Sequence, residues 1–179
     1  MDASQLKRMI LETQRLTLTP LTVEDARDVY PLMSDPEVLA RWEGEAIDDP
    51  DEVAAFVAGQ VADMDEGKAL YWAMRLTESG AFIGACELSD IIAAQHRAEI
   101  VVTVSRKQWG EGYAEEAARA LVAHAASVGF RRLVARVHFG DLRTEKMLTG
   151  LGFAEEGYLK GQVDEDGQRR DGRLFGVLL

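Results

Sequence analysis

Cysteine is nearly absent from this chain: Cys86 stands alone among 179 residues, so no internal disulfide and no cysteine-based metal cluster can be built. It reads as a small buried hydrophobe on a strand. Long apolar runs are missing as well. No stretch approaches the ~20 residues a membrane span needs, and the opening MDASQLKRMILETQ has no continuous apolar segment of the secretory kind. Positive charge is scarce, with 20 Lys+Arg against 31 Asp+Glu, a net charge of −11 and a pI near 4.7. That balance disfavours broad contact with nucleic-acid phosphates. It suits a cationic substrate such as an amine, although the same charge also serves solubility. The expectation is a cytoplasmic protein with neither nucleic acid nor membrane among its partners and no metal. At 47% hydrophobic and 28% charged residues the composition is globular, and the length suits one domain over residues 1–179.

The pattern along the chain alternates between strand and helix signals. Residues 10–19 alternate around Leu16 and Leu18 and read as a strand. Thr22 is placed as the N-cap of a helix whose apolar groups fall at Val23, Ala26, Val29, Tyr30 and Met33. Asp35-Pro36 interrupts it before another short helical turn, and Asp49-Pro50 opens a longer helix that runs to Gly67. Three strands follow at 70–76, 81–90 and 98–105, the first two joined through Glu78-Ser79-Gly80. An alanine-rich helix over 114–128 ends at Gly129, where a C-terminal cap belongs. A strand at 133–139, a short helix capped by Asp141, a strand from Gly152-Phe153 to about Val163, an Asp166-Gly167 turn and a closing strand RLFGVLL complete the order. The expected architecture is α/β (α+β), a mixed central sheet of about seven strands flanked by helices.

One junction carries chemistry. A strand ends near Val104, Gly110 and Gly112 follow with one residue between them, and the strongest helix begins. Glycines let backbone N–H groups approach a ligand closely, and the first amides of the helix have no intrahelical partner. Together they form an anion site suited to a pyrophosphate. A Gly-x-Gly pair alone also fits a plain tight turn. No third glycine stands at the dinucleotide-fold spacing, and no Gly-Lys-Ser/Thr ending marks a P-loop.

The surrounding residues extend the signal. Lys107-Gln108-Trp109-Gly110-Glu111-Gly112 resembles motif A of the GCN5-related N-acetyltransferases, Arg/Gln-x-x-Gly-x-Gly/Ala, with Lys at the first position. Its continuation through Tyr113 and Ala114 to Ala117, the opening Leu11-Glu12-Thr13-x-Arg15-Leu16-x-Leu18-x-Pro20-Leu21, the strand Ala98-Glu99-Ile100 and the closing Leu151-Gly152-Phe153 resemble the branch of the ribosomal-protein N-terminal acetyltransferases. The resemblance covers essentially the whole chain. It implies a splay between two parallel strands, Glu99–Ser105 and Leu133–Phe139, with acetyl-CoA in the opening. Backbone groups of Val102, Thr103 and Val104 would pair with the pantetheine arm. Amides of Lys107, Gln108, Trp109, Gly110, Glu111, Gly112, Tyr113 and Ala114 would hold the pyrophosphate.

The implied reaction is attack of a neutral amine on the thioester, with a protein N-terminus as first acceptor and a small-molecule amine as second. It needs a proton acceptor, an oxyanion donor such as the amide near Val104 and a hydrogen bond for the departing thiolate. Glu99 is the favoured base, with Glu87 and His96 as alternatives; His138 lies on the splayed strand with its side unfixed, and His124 reads as packed. The tyrosine that many relatives use as acid is replaced by Leu148, and the branch's Asn-x-x-Ser stands here as Asp141-Leu142-Arg143-Thr144. Thr144 is the candidate donor, and Asp141 keeps the acceptor oxygen of the pair. Arg143 and Lys146 are placed either near the cofactor's 3′-phosphate or on a solvated helix face, and Trp42, Trp72 and Tyr30 either in an acceptor pocket or in the core. The changes at Asp141 and Thr144 keep open a weakly active acyl-CoA-binding sensor or scaffold. Relatives of this kind occur as monomers and homodimers.

Overall fold

The structure, a computed structural model, describes residues 9–40, 46–165 and 168–179. Its strands form one sheet in the order β1-β2-β3-β4-β5-β6-β8-β7. These are β1 (Leu11–Glu12), β2 (Leu16–Pro20), β3 (Leu70–Leu76), β4 (Phe82–Ile92), β5 (Arg97–Val104), β6 (Arg132–His138), β7 (Ala154–Glu165) and β8 (Gln168–Leu178). The helices are α1 (Ala26–Met33), α2 (Pro36–Leu39), α3 (Pro50–Asp65), α4 (Tyr113–Ser127) and α5 (Leu142–Gly150). No described helix is long and apolar enough to cross a membrane.

Eight strands stand where about seven were expected, because residues 10–19 are a hairpin rather than one strand. Leu11 pairs with Leu18 and Glu12 with Thr17. The Thr13 N–H donates to the Leu16 carbonyl at 2.9 Å and closes the turn. Alternation alone does not register such a turn, since both arms keep the same period. The closing strand also begins earlier than RLFGVLL, at Gln168, because its polar first half pairs with β7 through Val163↔Arg170 and Asp164↔Arg169. Asp166-Gly167 and Trp42 lie outside the described residues.

Helix boundaries follow local chemistry. Asp35 and Asp49 accept from the amides of Glu37 (3.0 Å) and Asp51 (2.8 Å), with Pro36 and Pro50 at the first helical positions. The Asp25 carboxylate accepts from the Thr22 N–H and hydroxyl, so Thr22 begins a 3-10 turn that runs into α1. Two cores sandwich the sheet. Helix α4 lays Ala117, Ala118, Leu121 and Ala125 on Leu18, Trp72, Met74, Cys86 and Ile100; the alanines let it approach closely. The other face carries Leu21, Val29, Leu32, Val53, Val57 and Ala73 under α1 and α3. Trp72 and Cys86 are core residues, each 2% exposed, and burial pushes the Cys86 thiol pKa up.

β4 approaches β5 closely at Gly84. A Cβ there would lie 2.2 Å from the Thr103 carbonyl oxygen, and backbone cannot rotate aside. Gly84→Ala is expected to destabilise the protein by about 1–3 kcal/mol, read as a lower midpoint in denaturant with an unchanged slope.

Candidate active site

β5 and β6 are the only parallel neighbours among the described strands, and they soon part. Arg97 pairs with Arg132, Ala98 with Leu133 and Glu99 with Val134, and the register ends there. Beyond Glu99 the backbone groups of β5 that face β6 have no strand partner, and a cleft of about 620 Å³ opens between the two. That is the size of a small-molecule site. Val102, Thr103 and Val104 form one wall; Ala135, Val137 and His138 form the other, with Asp141, Arg143, Thr144, Lys146 and Leu148 from the start of α5 onward.

The cleft ends on the glycine loop, where Gln108, Trp109, Gly110, Gly112, Tyr113 and Ala114 line it. Gly110 and Gly112 hold φ of +95° and +81°, a region costly for residues with a Cβ. Gly112 is the N-cap of α4, so the free amides of that helix point into the cleft mouth. The Trp109 indole N–H donates to the Val104 carbonyl at 2.8 Å, which ties the loop back to its strand. Lys107 and Glu111 have exposed side chains and stand outside the cleft wall. Arg143 and Lys146, for which a solvated helix face is the favoured reading of the sequence, both line the cleft. Arg143 Nη2 would be 3.4 Å from a Cβ on Gly110, so a guanidinium faces the anion loop. Asp141 caps α5 by accepting from the Thr144 N–H (3.2 Å) and also accepts from the Thr144 hydroxyl (2.8 Å). The Thr144 proton is therefore directed at a carboxylate.

The candidate bases differ sharply in setting. Glu99 is 6% exposed and gripped by Arg136, whose Nε donates at 2.9 Å and 3.0 Å and whose Nη2 donates at 2.5 Å; Arg136 also bonds Asp90 at 3.0 Å. Glu87 sits one strand away, opposite Val101 and Tyr71. It lines a cavity of about 30 Å³ with Tyr71, Gln60 and Thr103. Val101 and Thr103 line both this cavity and the cleft, so the two adjoin. Burial, and then the nearby charges of Glu99 and Asp90, push the Glu87 carboxyl up to about 7 against a partly offsetting bond from Ser89. Burial first, then Glu87 and other carboxylates, raise the Tyr71 phenol and keep it a donor. His96 bonds the Gly129 carbonyl through Nδ1 at 3.0 Å, at the opposite end of β5 from the loop. His124 is buried edge-on against Trp72, and burial lowers its pKa. His138 faces the cleft, and its Nε2 is buried without a partner. Tyr30 donates its hydroxyl to the Asp48 carbonyl at 2.9 Å and packs on the second core.

Sequence reasoning named the loop, the β5 wall and Asp141 with Thr144, and the fold brings these together. It missed Arg136, whose spacing from Glu99 carries no signal, and the contact of Arg15 with the loop.

A family profile described as "Acetyltransferase (GNAT) domain" matches residues 15–154. The chain is 30% identical over 170 residues to the uncharacterized N-acetyltransferase p20 of Bacillus licheniformis, covering 94% of this chain and 95% of that protein. Among solved structures, the ribosomal L7/L12 α-N-protein acetyltransferase RimL in complex with CoA superposes with a TM-score of 0.87 at 17% identity, covering 96% and 98% of the two chains. Spermidine N-acetyltransferase from Vibrio cholerae with CoA and spermine gives 0.83 at 19% identity, covering 93% and 96%. These likenesses establish a shared fold.

Proposed function

The chain belongs to the GNAT acetyltransferase family, and from that premise we propose that it transfers an acetyl group from acetyl-CoA to a primary amine, with a protein N-terminal amine as first acceptor. The observation that carries this reading is the splay: three registered pairs, then a cleft whose mouth is the Gly110–Gly112 loop. The cleft fits the cosubstrate chemically. Unpaired β5 backbone groups suit the amides of the pantetheine arm, free helix amides suit the pyrophosphate, and Arg143 and Lys146 supply cationic partners for phosphate oxygens.

Glu87 takes the proton of the amine in this reading. Its cavity has room for about two waters, each needing roughly 10–15 Å³ and two or more polar partners, which Glu87, Tyr71, Gln60 and Thr103 provide. A carboxylate with its pKa near neutrality accepts a proton through such a relay far better than one clamped by a guanidinium. Glu99 then holds Arg136 at the vertex of the splay. The thioester oxygen, as charge develops on it, is met by a β5 amide near Val104. A thiolate with an ordinary pKa near 8.5 leaves readily and needs only a hydrogen bond; Thr144 supplies it by turning its hydroxyl from Asp141 to sulfur.

Small-molecule amines are the second class of acceptor, supported by the carboxylates Glu87, Asp90 and Glu99 near one another, the last two sharing the single cation Arg136. Saturation with acetyl-CoA at ~100 times Kd is expected to add about 2.7 kcal/mol of stability, read as a rise in melting temperature; no shift removes the cosubstrate reading. Turnover is tested by following free thiol with acetyl-CoA against a panel of N-terminal peptides and amines. Release with peptides and not with amines supports the first acceptor, the reverse pattern the second. Binding without release for any acceptor would favour a sensor.

A further inference from the structure

The turn between β1 and β2 grips the cleft mouth from across the molecule. The Glu116 carboxylate, in the first turn of α4, accepts from the Thr13 hydroxyl (2.6 Å), the Arg15 N–H (2.8 Å) and the Arg15 Nε (2.7 Å). The same guanidinium donates through Nη1 to the Glu111 carbonyl at 3.0 Å and lies over the Tyr113 ring at 4.5 Å. Its Nη2 would stand 3.5 Å from a Cβ on Gly112. One side chain thus binds the loop, the N-cap and the first helical turn together.

Two physical consequences follow. The Glu111–Gly112 peptide is trans, so its C=O and N–H point in opposite directions. Drawing the Glu111 oxygen outward to Arg15 turns the Gly112 N–H the other way, into the cleft that Gly112 lines. The second consequence is electrostatic. Helix α4 begins with Glu115 and Glu116, which suit the helix dipole but repel a bound pyrophosphate. Arg119 pairs with Glu115 at 2.9 Å and Arg15 with Glu116, leaving the amides as the dominant local field.

We infer that Arg15 is a positioning residue for the anion loop: it fixes the Glu111–Gly112 peptide so that the Gly112 N–H meets the pyrophosphate, and it neutralises Glu116 beside it. This rests on the loop being the pyrophosphate site. It also explains why Thr13-x-Arg15 and the Glu116 of α4 occur in one chain about a hundred residues apart: they are two halves of one clasp.

The test compares ligands that do and do not carry a pyrophosphate. Dissociation constants for CoA and for pantetheine are measured calorimetrically, pantetheine by displacement, in the wild type, Arg15→Ala, Arg15→Lys and Gly110→Glu. In Arg15→Ala, CoA binding is expected to weaken about tenfold, the scale of one misdirected charge-assisted hydrogen bond, while pantetheine affinity holds. The ³¹P resonances of the bound pyrophosphate should move and that of the 3′-phosphate should not. Arg15→Lys cannot hold Glu116 and the Glu111 carbonyl at once, so it should show the same divergence at smaller size, and it serves if the alanine variant does not fold. Equal weakening of both ligands, or no divergence in either variant, overturns the inference. Unchanged CoA affinity in Gly110→Glu is a different result, because it removes the pyrophosphate site itself.

Discussion

Gly110→Glu is expected to lower CoA affinity by about four orders of magnitude, leaving no measurable complex at ordinary concentrations. Gly110 sits at φ +95°, where a side chain costs of order 1–2 kcal/mol. The introduced carboxylate would project from the cleft mouth toward the phosphates. At about 4 Å two like charges repel by ~4 kcal/mol for an effective dielectric of 20, and every 1.4 kcal/mol is tenfold in affinity. Arg143, 3.4 Å from the position of the new Cβ, would pair with the glutamate and be withdrawn from the ligand. Gly110→Ala isolates the backbone part and should lose only about tenfold. Calorimetric titration of CoA into both variants, with melting curves to confirm folding, makes the measurement. Wild-type affinity in the glutamate variant would mean that the loop is a plain turn.

The second large effect is on turnover. Glu87→Gln is expected to slow the chemical step ~10²–10⁴-fold with little change in the KM for acetyl-CoA, because Glu87 lies across the Val101–Thr103 wall from the cleft. In the wild type, activity should rise with pH through about 7 as the carboxyl ionises, and the glutamine variant should lose that limb. The stability of the wild type should move in the opposite sense to its activity, and the glutamine variant should lack that dependence. A carboxyl with a raised pKa binds its proton more tightly folded than unfolded, so between its ordinary pKa and about 7 rising pH erodes stability. Above pH 7 the ionised carboxylate in its half-buried setting is a standing cost, and Glu87→Gln should melt higher than the wild type there. Glu99→Gln makes the contrast. It breaks the grip on Arg136 and should keep the rising limb of the pH profile, moved to lower pH because the Glu99 charge no longer raises Glu87. If Glu99→Gln flattens the pH profile and Glu87→Gln does not, the proton acceptor is Glu99 and the assignment to Glu87 fails.

The legible parts of this molecule were those governed by neighbours in sequence. The caps at Asp35, Asp49 and Asp141, the prolines behind two of them and the alanine face of α4 are short-range devices, and each formed where its residues stand. The Gly110–Gly112 junction belongs with them, since the glycines, the strand before and the helix after are contiguous. The β1–β2 hairpin escaped because its turn, closed between Thr13 and Leu16, leaves the alternation of both arms intact; Glu116, from the far half of the chain, braces it.

The sequence alone determined that this chain builds a mixed sheet with one glycine-lined helix mouth, because period, capping and backbone freedom act within a few residues. The settings of two like glutamates were decided only by the tertiary structure. Register and packing place a guanidinium on Glu99 and a cavity of about 30 Å³ beside a half-buried Glu87, and a carboxyl group's proton affinity is set by those surroundings. The same long-range placement put Arg143 and Lys146 in the cleft wall and fastened Arg15 to Glu116 and the Glu111 carbonyl.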